Sequence, residues 1–181
     1  MGLFRGLRGL ATGALADAKM HNANVKLWKA IKKNDPYMMS DAINAGAEIE
    51  AKSNLGETPL MGSARVSPEL VNILLERGAE PDRINGNGRT ALMIALEATN
   101  MILMHQRIEV LRILLAAGAS QDIVDGYGQS ARDQALTKEV RDVLDEFSGL
   151  TELRRSQSLA VEKKEGVDEI VRGLSEDVQD D

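Results

Sequence analysis

The chain has 181 residues, 43% of them apolar, which allows one ordinary domain with some tail left over. Only five residues are aromatic (Phe4, Trp28, Tyr37, Tyr127 and Phe147), so a core must be built from Leu, Ile, Val, Ala and Met, as thin helical layers do. The lack of cysteine excludes disulfides, Cys-ligated zinc and cysteine nucleophiles, and the net charge of −6 disfavours nucleic-acid binding by a general basic surface.

The charge is polarised along the chain. Residues 1–33 hold seven Lys/Arg against the single acid Asp17, whereas 34–137 hold eight bases against fourteen acids and 138–181 seven against thirteen. Residues 1–22 form a basic arm, with Leu3, Leu7, Leu10 and Ala14 on one helical stripe and Arg5 and Arg8 off it. Gly2, Gly6, Gly9 and Gly13 oppose a helix there, each by about 1 kcal/mol, so a flexible arm that orders against a surface is expected. A targeting peptide, a membrane-contacting segment and an arm that docks on a partner all fit this composition. No apolar run is long enough to span a bilayer, and a cytoplasmic location is expected.

Regular structure is expected over residues 23–147. Leu27, Ala30 and Ile31 give a short helix face that Asn34-Asp35-Pro36 breaks, and Tyr37, Met38, Ala42 and Ile43 give a second helix that Gly46 closes. After a turn at Ser53-Asn54-Leu55-Gly56, Thr58 caps a helix with Pro59 at its first position, and Leu60, Ser63 and Ala64 face inward. Ser67-Pro68-Glu69 opens the next helix, filled by Leu70, Val71, Ile73, Leu74 and Leu75 and closed by Gly78.

The scheme then repeats. Gly56-Glu57-Thr58-Pro59-Leu60 returns as Gly88-Arg89-Thr90-Ala91-Leu92 and again as Gly128-Gln129-Ser130-Ala131. Each copy lies ten residues after Gly46-Ala47-Glu48, Gly78-Ala79-Glu80 or Gly118-Ala119-Ser120. Helices are expected at Thr90–Glu97 and Glu109–Ala116, with extra residues around 98–107 that include Met101, Ile102, Leu103 and Met104, an accessory surface or a helix extension. A fourth unit runs through Ser130, Ala135 and Leu136 to Val140, Val143, Leu144 and Phe147. There Arg132 stands in the register of Leu60 and Leu92, as suits an end repeat. Residues 148–181 lose the pattern and form an acidic tail, weakly helical or disordered.

The fold class is therefore all-α, a solenoid of about four helix-turn-helix units (about 23–50, 51–82, 83–122 and 123–147) joined by short β-turn fingers. The phrase Gly56–Leu60, the run Val71–Leu75 and the Glu76-Arg77-Gly78-Ala79 ending resemble the ankyrin repeat family over about residues 24–147. Met61 and Met93 depart from the family's usual His. The resemblance implies a non-catalytic module, an adaptor or inhibitor, that binds a partner protein through its fingers and concave face. Matching the family's variable positions selects Lys52, Asn54, Leu55, Glu57 and Arg65, then Asn87, Arg89 and Glu97, then Tyr127 and Gln129. Leu55 and Tyr127 are the apolar anchors and Arg65 and Arg89 the charged ones. An alternative is an assembly component whose basic arm and acidic tail dock neighbouring subunits or a membrane, with self-association.

Catalysis has little support. The two histidines, His21 and His105, sit in no ligand-spacing pattern, and the Gly-x-Gly pairs at 86–88 and 126–128 lack the lysine and context of a phosphate loop. No cofactor and no metal are expected.

Overall fold

A computed structural model describes the backbone of residues 3–97 and 103–149, and side chains over 16–97 and 103–149. Among the described residues, those up to Leu144 belong to one compact unit and Asp145 begins a second. The acidic tail beyond residue 149, and Met101 and Ile102, lie outside the described residues.

The elements are helices α1 (Leu3–Lys33), α2 (Pro36–Asn44), α3 (Pro59–Ala64), α4 (Pro68–Glu76), α5 (Ala91–Glu97) and α6 (Met104–Ala116), followed by α7 at 138–149. They pack in two rows. In the inner row α1 meets α3 and α3 meets α5; in the outer row α2 meets α4 and α4 meets α6; α1, α3 and α5 each pack on the helix that follows them. Small side chains keep the inner row close: Ser63, Ala64, Ala91 and Ala95 are buried beside Leu60 and Leu92. Among the described residues the only β-pairing outside named strands is an isolated Val124–Ser130 bridge.

Local chemistry sets the helix ends. Asp35, Thr58 and Ser67 each occupy an N-cap, accept a backbone N–H from three residues on, and are followed by Pro at the first helical position. Met61 closes the Thr58 cap reciprocally, its sulfur accepting the Thr58 amide at 3.4 Å. At the far ends Gly46, Gly78 and Gly118 adopt φ near +90° (98°, 89° and 93°), where a side chain would strain the turn.

Four expectations differ from what the structure shows. First, α1 is continuous from Leu3, so there is no helix break at the 22/23 boundary; nothing between Ala14 and Lys33 is a breaker, and the helix ends only at Asn34, with φ +52°. Second, Tyr37 is 85% exposed and Met39 takes the buried place, because Pro36 fixes the start of α2 and turns position 37 outward. Third, α6 begins at Met104 instead of Glu109, so part of the insertion lengthens this helix. Fourth, Leu136, named with Ala135 in the pattern of the fourth unit, is 85% exposed. Residues 131–134 make a single turn instead of a helix, held by Asp133, whose carboxylate accepts the Ser130 amide at 2.8 Å and its hydroxyl at 2.6 Å. Leu136 keeps the register of the buried Ala64 and Leu96, but no further inner helix among the described residues covers it.

Candidate functional site

The three fingers share one construction. Ser53, Asn85 and Asp125 begin them, and in each the side-chain oxygen accepts two backbone N–H groups: those of Leu55 and Glu57, of Asn87 and Arg89, and of Tyr127 and Gln129. Successive fingers touch through backbone. Gly126 donates its N–H to the Asn87 carbonyl at 2.8 Å. A Cβ on Gly88 would stand 3.2 Å from the Gly126 nitrogen, so this approach and the φ of +73° both require glycine.

Charge ties the first two of these fingers to the ends of their inner helices. The Arg65 guanidinium forks onto both Glu57 carboxylate oxygens at 2.7 and 3.0 Å. That hydrogen bond, with further attraction from Glu57 and Glu97, raises the Arg65 pKa against the opposing effect of burial. One unit later the order is exchanged: Arg89 on the finger pairs with Glu97 at the helix end. Arg89 also donates to Gln134 Oε1 at 3.2 Å and to the Met93 carbonyl at 3.4 Å, and its Nε lies 4.0 Å from Asp125 Oδ2. Gln134 in turn donates to Asp125 at 3.1 Å. Both arginines expected as charged anchors therefore already have partners within the chain.

Beside this network lies an open cleft of about 650 Å³ between the third and fourth units. Asn87, Arg89, Glu97, Tyr127 and Gln129, five of the sequence-predicted positions, come together in its walls. Tyr127 is 87% exposed at the finger tip, and Leu136, 85% exposed, lines the same cleft. Lys52, Asn54 and Leu55 do not line this cleft; they sit on the second finger, with Leu55 75% exposed, and Glu57 and Arg65 stay half-buried behind it. Leu103 and Met104 are exposed at the start of α6.

Sequence reasoning missed Leu96, Asp125, Asp133, Gln134 and Leu136 as cleft residues. A signal existed for Gln134: it falls in the register of Gly62 and Ile94, where a polar residue has no business in a packed inner helix. His21 and His105 are exposed. Among the described residues no group of three His, Cys, Asp or Glu could hold a metal ion, and no helix is long and apolar enough to cross a membrane.

Two rows of short helices with stacked turn fingers define a helical-repeat solenoid with an open cleft on its finger side. Residues 27–125 match the family model described as ankyrin repeats (3 copies), over half of the chain, and the protein belongs to the ankyrin repeat family. Ankyrin repeats generally mediate protein–protein interaction and are typically non-catalytic. No match was found among curated proteins.

Proposed function

We propose that the chain is a non-catalytic interaction module, an adaptor or inhibitor, and that its partner protein docks in the cleft between the third and fourth repeats. The observation that supports this is the convergence there of finger residues and the exposed pair Tyr127 and Leu136. Large apolar side chains held on a rigid backbone lose little entropy on binding and commonly carry most of an interface's energy. Arg65 and Arg89, tied up in ion pairs, act in this reading as braces for the fingers. Leu55, with Lys52 and Asn54, extends the surface toward the second finger.

The reading predicts that Tyr127→Ala combined with Leu136→Ser weakens partner binding by roughly thirtyfold, the scale of one hot spot. Asn72→Ala, on the outer helix α4, leaves binding unchanged. Affinity capture followed by titration of the captured protein measures both. Equal binding by all three proteins rejects the reading.

A further inference from the structure

We infer that the segment this cleft takes is basic: a stretch of the partner protein that carries Lys or Arg beside an aliphatic or aromatic residue. The inference rests on the cleft being the docking site and adds the chemistry of the occupant.

Charge in the cleft is lopsided. Three carboxylates line it, those of Glu97, Asp125 and Asp133, against the single guanidinium of Arg89 among the described lining residues. Arg89 is turned inward and engaged, its side chain only 14% exposed. Asp125 is buried, accepts two finger amides and the Gln134 amide, and has Arg89 beside it. Two carboxylates are left facing solvent. The Glu97 side chain is 59% exposed although it meets Arg89. Asp133 is exposed, bound only to neutral donors of Ser130. Arg141, on α7, donates to the carbonyls of Ala135 at 3.0 Å and Leu136 at 3.2 Å, so its charge is directed at the backbone, and Arg65, which Glu97 also attracts, is forked onto Glu57.

An acidic segment entering here would set its carboxylates against Glu97 and Asp133, with no open cation among the described lining residues to meet them. A basic side chain finds two acceptors, while Tyr127 and Leu136 cover the apolar residue next to it.

The test is a random peptide library displayed on phage, panned on the full-length chain. Affinities of the enriched peptides are then measured by fluorescence anisotropy against wild type, Tyr127→Ala, Glu97→Gln and Asp133→Asn. Asp133→Asn keeps an oxygen for Ser130, and circular dichroism checks that each variant is folded. The expected result is enrichment of sequences with Lys or Arg adjacent to an apolar residue. Each carboxylate substitution weakens binding by roughly fivefold, the scale of an exposed charge pair, with a loss that shrinks as salt is added. Enrichment of acidic or uncharged peptides overturns the inference, as does no enrichment, or affinities unmoved by Glu97→Gln and Asp133→Asn. If the captured partner protein depends on Tyr127 while its contacting segment is acidic, the inference fails alone. If no captured protein depends on Tyr127, the docking site itself is wrong.

Discussion

Gly62 sits in α3 with a tryptophan ring against it. A Cβ there would lie 2.8 Å from Trp28 Cζ3 and 3.4 Å from Ile31 Cγ2, and the ring is held by its Nε1 donating to the Ala51 carbonyl at 3.2 Å. Alanine ordinarily gains about 1 kcal/mol over glycine inside a helix, whereas overpacking costs about 1–3 kcal/mol. Because the ring is anchored, the clash should win. Gly62→Ala is expected to lose about 1 kcal/mol in urea unfolding, with a change in Trp28 fluorescence; a more stable variant would contradict this packing. Asp133 makes a second residue-scale case. Hydrogen bonds from the Ser130 hydroxyl, and then from its amide, hold this carboxyl below its ordinary range. A depressed folded pKa contributes stability that is complete above the unfolded value, near about 4, and fades as pH falls through the folded one. At neutral pH Asp133 is thus ionised. Ser130→Ala should raise its titration midpoint, read by carboxyl NMR; an unmoved midpoint would show that the hydroxyl is not the cause.

At the level of elements, the two finger braces span the same eight positions with the charges exchanged, Glu57 to Arg65 and Arg89 to Glu97. Where a finger is tied to its helix end, the fold therefore accommodates the cation at either end. The Glu57–Arg65 pair is bidentate and partly sheltered, at 13% and 31% side-chain exposure, while Lys138–Asp142 stands at 82% and 61%. A double-mutant cycle with Glu57→Gln and Arg65→Met should give a coupling of about 1 kcal/mol. Lys138–Asp142 should give about 0.3 kcal/mol or less. Equal couplings would remove the brace from the account. The Thr58 cap, the helix opening at Ser67 and the closing glycines were legible in the sequence because their chemistry is local and needs no distant neighbour; Asp35 was legible only as part of a helix break. The braces were less legible, since their partners are named only once the register is laid out. Tyr37 and the missing helix after Ser130 show where pattern fails: a single proline sets the face that α2 turns inward, and one aspartate closes a turn on itself.

For the whole molecule, the proposed docking place lies where the regular packing of the stack ends. Interior units bury their inner-row leucines against neighbours on both sides, as in a nearest-neighbour array, and Leu60 and Leu92 are wholly covered. At the fourth unit the repeat phrase degrades at Arg132, the inner helix shrinks to a turn, and Leu136 is left facing solvent beside Tyr127. That is why the all-helical repeat architecture could be read from spacing, and five of the cleft's lining positions were implied by the family resemblance, while the cleft could not be foreseen. It arises where a neighbour fails to follow, which no single residue announces. The central claim is that a partner protein occupies this place. Its most direct test is a photo-crosslinking residue installed in turn at Tyr127 and at Asn72, with adducts identified by mass spectrometry after irradiation in cell extract. The account predicts a specific protein adduct at position 127 and none at 72. Adducts at 72 alone, or the same adducts at both, would contradict it.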